Sequence, residues 1–196
     1  MKRLATTVVA VVGDEAEACL RALAGAANVA TVAVPAEPPP DDPWTRAQEA
    51  WRRTVRSKAR FTVHAVDPLA EVGDAWAAGF DLVAPGAAGS SGARGRLEVA
   101  VAGTLARWRA DTIGLPDYYL VLAPDDLPSD LRHWYLGVLH RAAPHRVVPV
   151  AAEREAVLAA IARLPAGRWW PELPELLSGL DHELPDRPMV PAPPPT

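Results

Sequence analysis

Cysteine occurs once in the 196 residues, at Cys19, so neither an intramolecular disulfide nor a cysteine-based zinc site can be built within the chain. Lysine is almost as scarce, present only as Lys2 and Lys58, while arginine and alanine abound. That imbalance reads as the codon bias of a GC-rich bacterial genome, not as function. No apolar stretch approaches the ~18–20 residues of a membrane span. Met1-Lys2-Arg3 ahead of residues 4–12 has the outline of a signal peptide, but Gly13-Asp14-Glu15 follows with no small-x-small cleavage context. The run therefore reads as a buried strand and the protein as cytoplasmic. Positive charge is not in excess either: the net charge is −4, which gives no global reason to expect nucleic-acid binding.

What is present is a rhythm. With 49% hydrophobic residues, the length suits one domain with a sizeable core. Apolar strand-like runs at 6–12, 28–34, 60–66, 81–84, 118–123 and 146–150 alternate with helical patterns at 15–24, 44–57, 69–78, 96–110, 129–142 and 153–163. Several runs are continuous in valine, as expected of strands covered by helices on both faces. The alternation predicts an α/β fold: a doubly wound, mostly parallel sheet of about six strands flanked by helices, Rossmann-like or P-loop GTPase-like. Residues 1–164 form the expected domain, 165–184 an amphipathic C-terminal extension, and 185–196 a Pro-rich disordered tail. Residues 35–43 make a proline-rich acidic loop, and 84–95 a mobile Gly/Ser/Ala connection.

The turn Gly13-Asp14-Glu15-Ala16-Glu17-Ala18-Cys19-Leu20 follows the first strand, where many α/β proteins hold phosphate. Such a loop would read G-x-x-x-x-G-K-[ST], converging bare N–H groups, a lysine and a hydroxyl on phosphates and Mg²⁺. Here Gly13 remains, but Ala18, Cys19 and Leu20 replace the second glycine, the lysine and the hydroxyl, and three carboxylates enter the loop. Asp14 and Glu17 stand at capping-box spacing, so these acids are expected to cap the helix.

Downstream, Tyr118–Asp126 reads YYLVLAPDD and is followed by Leu127 and Pro128. The segment resembles the guanine-reading strand of small P-loop GTPases of the Ras-like and Era-like type, whose motif is N-K-x-D. On that alignment Ala123 and Pro124 replace Asn and Lys, while Asp126 stands at the guanine-reading aspartate. Val147-Val148-Pro149-Val150-Ala151-Ala152 is similar to the family's last strand and S-A-K loop, with Ala151 in place of the serine. Residues 61–66 end in Asp67, which matches the D-x-x-G aspartate that supports Mg²⁺, although the fourth position is Ala70. The resemblance spans residues 6–164 and implies a nucleotide scaffold whose site positions, Gly13, Ala18, Cys19, Asp67, Asp126 and Ala151, have lost most of their nucleotide-binding groups. Without the lysine, the β- and γ-phosphates lose their main counter-charge. The expectation is a catalytically inert GTPase-like module with no cofactor and no catalytic residue, serving as a protein-binding or regulatory domain.

Alternatives stay open. A Rossmann-like enzyme or small-molecule binder would place its site at the carboxyl ends of the strands, using Asp67, Asp125, Asp126, Arg94 or His133. A pseudo-ATPase of the chromosome-partitioning kind shares the doubly wound sheet, though its deviant lysine motif is equally absent. The glycine-rich stretch 86–96, with Arg94 and Arg96, precedes a helix where an anion can bind, against the plainer reading of a surface connection. In 44–60, Trp44, Ala47, Trp51 and Val55 form one apolar stripe expected to face the sheet, leaving Arg52, Arg53, Arg56, Lys58 and Arg60 solvated. His133 and His140 lie about 10 Å apart along a helix, too far for one zinc without other ligands. Asp125, Asp126 and Asp130 are expected to cap that helix. Finally, Trp169, Trp170, Leu173, Leu176 and Leu177 suit a groove on a protein partner, or equally a groove of their own domain.

Overall fold

The computed structural model describes residues 6–35, 42–81, 90–165, 173–178 and 180. Five strands, β1 (Thr7–Val12), β2 (Val29–Val32), β3 (Phe61–His64), β4 (Tyr118–Leu122) and β5 (Val147–Val150), form a sheet in the order β2-β3-β1-β4-β5. Every pairing is parallel, as the valine-rich continuous runs predict. The order differs from both common doubly wound orders, 3-2-1-4-5-6 and 2-1-3-4-5, in seating β3 between β1 and β2.

Seven helices flank the sheet among the described residues: α1 (Ala16–Ala22), α2 (Thr45–Thr54), α3 (Ala70–Asp81), α4 (Ser90–Arg109), α5 (residues 129–142), α6 (Arg154–Arg163) and α7 (Leu173–Ser178). Strand alternation divides the core between the two faces of the sheet. Val9 and Val11 of β1 pack with Cys19 and Leu20 of α1, with Leu23 at its C-cap, and with Val157 and Ile161 of α6. Ala10 and Val12 face the other way, into a larger cluster with Trp76 of α3, Leu97 and Ala100 of α4, and Trp134 and Leu139 of α5. A third, smaller cluster seats Ala47 and Ala50 of α2 on Val32, Val34, Val66 and Ile113.

Three close approaches pin these layers. An added Cβ at Gly103 would lie 2.6 Å from the Trp44 ring, and one at Gly73 would lie 2.9 Å from Trp134 Nε1. A Cβ at Gly114 would collide with the Trp51 ring. Each tryptophan therefore rests on bare backbone, which lets the packed segments approach more closely than side chains permit. Trp44 is held further by Nε1 donation to Thr104 Oγ1 at 3.1 Å and by the Arg107 guanidinium 4.0 Å above its ring.

The sequence expectations need correcting at several places. Asp81 ends α3 instead of opening a sixth strand; residues 82–84 of that run lie outside the described residues. Residues 90–95 are the first turns of α4, not a loop; burial of Leu97 and Ala100 stabilises a helix that the Gly/Ser content alone disfavours. In the stripe on α2, Ala47 and Trp51 are buried as expected, but Val55 is 42% exposed because the helix ends at Thr54. Asp14 and Glu17 form no capping box: Glu15 occupies the N-cap of α1, without a side-chain hydrogen bond to the helix. Asp125 and Asp126 lie in a 3₁₀ turn at Pro124–Asp126, and no side chain caps α5, whose N-cap is Pro128.

Candidate functional site

Because all five strands run in parallel, the segments that follow them gather at one edge of the sheet. Gly13 follows β1, Asp67 lies just beyond β3, Ala123–Asp126 follows β4 and Ala151 follows β5. Gly13 has φ +116°, and a Cβ there would sit 3.0 Å from the Leu122 carbonyl oxygen; both facts require glycine at this turn. The remaining candidate positions do not converge on a phosphate. Cys19 and Leu20 are buried in the core, Ala18 is exposed, and burial raises the Cys19 thiol pKa. Asp126 and Ala151 are exposed, and the Asp126 N–H closes its own turn on the Ala123 carbonyl at 2.9 Å.

A cleft of about 390 Å³ opens at this edge, between the carboxyl ends of β1 and β3 and the starts of α2 and α3. Its walls include Gly13, Trp44, Arg46, Asp67, Glu71 and Tyr135. Asp67 is the most constrained of these. Its Oδ1 accepts the Tyr119 hydroxyl at 2.8 Å and the Leu69 N–H at 2.8 Å, and its Oδ2 accepts the Tyr135 hydroxyl at 2.9 Å. Burial raises the Asp67 pKa above its ordinary value, against the opposing pull of those three donors. The two phenols are pushed well above the usual tyrosine range, first by burial and then by the Asp67 charge, so they remain protonated donors.

The reach of Tyr135 depends on a helix irregularity. The middle of α5, His133–Leu139, is π-helical and buries the adjacent pair Trp134 and Tyr135 together with Val138 and Leu139. A wider turn shifts which side chains share a face, and π segments recur at functional sites. His133 stacks on Trp76 at 5.4 Å with the rings nearly parallel, and His140 Nδ1 lies 3.1 Å from the Val147 carbonyl oxygen. The two histidines thus serve packing and hydrogen bonding, and no group of three or more His, Cys, Asp or Glu side chains suited to a metal occurs among the described residues.

Arg46 enters from α2. Its Nη2 donates to Glu17 Oε1 at 3.3 Å and to the Val34 carbonyl at 3.4 Å, while its Nε–H is buried with no partner among the described residues. Across the cleft, burial raises the Glu71 pKa, reinforced by the charges of Asp74 and Asp42. Behind the site, buried His64 is held down to about 4 by desolvation, against the effect of a hydrogen bond with the Val66 backbone.

Of the residues assigned from sequence to a carboxyl-end site, the cleft includes Gly13 and Asp67, and not Arg94, Asp125, Asp126 or His133. The residues that sequence reasoning missed are Tyr119, Tyr135, Arg46 and Glu71. Only Glu71 carried a local signal, one helical turn beyond Asp67. Among the partner-docking candidates, Leu173, Leu176 and Leu177 of α7 are buried in the protein's own large cluster with α3, α4 and α5, whereas Trp169 and Trp170 lie outside the described residues. Comparison with protein-family models, curated proteins and solved structures found no match. Among the described residues, no helix is long and apolar enough to cross a membrane.

Proposed function

We propose that this chain is a GTPase-like α/β module that has given up nucleotide chemistry and acts by binding, as a regulatory or protein-interaction domain. The observation that carries this reading is the state of Asp67. The carboxylate matching the family's Mg²⁺-supporting aspartate has its two oxygens engaged by Tyr119, Tyr135 and the Leu69 N–H. A metal ligand needs lone pairs free for the cation, and here two phenols and an amide fill three of the roughly four acceptor positions of the carboxylate. The first turn supports the same reading, since it exposes Asp14 and Glu15 and carries buried Cys19 at the position of the phosphate-binding lysine.

Thermal unfolding with GTP, GDP, ATP or ADP plus Mg²⁺ tests the proposal. A ligand at 100 times its Kd adds about 2.7 kcal/mol of stability, so the expected result is an unchanged Tm with all four. A GTP-specific rise overturns the inert reading. The cleft itself favours a second use of the same edge: about 390 Å³ falls in the range of small-molecule sites, ~300–1,000 Å³. Binding there requires none of the missing nucleotide groups.

A further inference from the structure

We propose that the cleft between α2 and α3 binds a small zwitterion of the amino-carboxylate class, its carboxylate on Arg46 and its ammonium on Glu71. The proposal rests on the use of this cleft for small molecules and is independent of the resemblance to GTPases. Arg46 and Glu71 line the same cavity from opposite helices, yet no ion pair among the described residues joins them.

Each of the two groups has unused bonding capacity. Arg46 retains an Nε–H with no acceptor among the described residues, although its Nη2 is engaged by Glu17 and Val34. Arginine pairs well with a carboxylate through charge-assisted hydrogen bonds. The Glu71 side chain makes no hydrogen bond or ion pair among the described residues, in contrast to Asp67 one turn earlier, whose oxygens both accept hydrogen bonds. The charges that act on it, Asp74 and Asp42, are both of like sign, so they add to its attraction for a cation. A purely anionic ligand would lie against Asp67 and Glu71, and a purely cationic one against Arg46. A molecule carrying both charges satisfies the two walls together. The Trp44 ring, with Pro43 and Pro68, supplies an apolar side for the intervening carbons.

Heteronuclear NMR titration of the full chain tests this with glycine, γ-aminobutyrate and ε-aminocaproate, which differ in charge separation, against butyrate and butylammonium as single-charge controls and Mg²⁺–GTP. At about 10 mM probe, even a millimolar Kd is measurable. At least one amino-carboxylate should shift resonances of Arg46, Glu71 and Trp44 and bind about tenfold or more tightly than either control. Glu71→Gln should remove that preference over butyrate, and Arg46→Gln the preference over butylammonium, with both variants confirmed folded by their own spectra. Equal binding of a single-charge control overturns the proposal, as does silence with all three amino-carboxylates. A response to Mg²⁺–GTP as well as to an amino-carboxylate rejects the inert reading and leaves this one standing; a response to Mg²⁺–GTP alone rejects both.

Discussion

Asp67 was legible from sequence as a carboxylate at a strand end, and its place beside the cleft follows from that. Its hydrogen-bond donors were not legible, because Tyr119 and Tyr135 lie 52 and 68 residues away and no local spacing encodes their approach. Tyr135→Phe tests the cluster. Losing one donor to a carboxylate typically costs about 1–3 kcal/mol, and the loss raises the Asp67 pKa further. A carboxyl with a raised folded pKa contributes stability below its unfolded value of about 3.9, and that stability is lost as pH rises through the folded pKa. The deficit of Tyr135→Phe in urea unfolding should therefore be larger at pH 7 than near pH 4. His64 works in the opposite sense. Its folded pKa of about 4 lies below the ordinary 6.5, so its contribution is complete above pH 6.5 and lost as pH falls toward 4. The difference amounts to ~3 kcal/mol at about 1.4 kcal/mol per unit. His64→Leu should flatten the wild-type loss of stability between pH 6.5 and 4 by about that amount.

Among elements, the five strands were readable because continuous valine runs have few other uses in a chain that also carries helical periodicity. The start of α4 was not, since Ser90, Ser91, Gly92 and Gly95 carry loop character that only tertiary packing overrides. Glycines on this one helix do different jobs, and the difference is measurable. Gly92 and Gly95 have open space where a Cβ would go, so Gly92→Ala and Gly95→Ala should each stabilise by about 0.5–1 kcal/mol through helix propensity. At Gly103 the same change drives a methyl into the Trp44 ring, and overpacking of this kind costs about 1–3 kcal/mol. Thermal melts of the three variants should therefore split in sign along a single helix. The π-helical turn of α5 escaped sequence reading because it alters the period itself, leaving adjacent Trp134 and Tyr135 both inward.

For the molecule as a whole, the C-terminal extension proves to be structural in its leucines. Leu173, Leu176, Leu177 and Leu180 complete the larger core cluster, so the apparent docking motif and the domain core draw on the same residues. Truncation after Leu164 should expose that cluster and lower the unfolding midpoint markedly. Leu177→Ala alone should cost about 2–5 kcal/mol, read by chemical denaturation. An unchanged midpoint in the truncated chain would return those leucines to the role of a free docking motif. Sequence composition could not separate the two uses, because a partner groove and a groove of the same chain select the same amphipathic leucine spacing.

Strand β1 sits between β3 and β4, and this central seat has a kinetic meaning. Val8 donates its N–H to the Asp117 carboxylate at 2.8 Å across 109 residues of chain. At a synthesis rate of about 5–20 residues per second, that separation corresponds to a wait of roughly 5–20 s between the making of β1 and the arrival of its β4 neighbour. During that interval the valine run of β1 has an unpaired flank, the condition under which nascent chains are most open to aggregation. Long-range closure of this sort also slows refolding from denaturant. The order in which its strands are made thus adds to the molecule's exposure to misfolding.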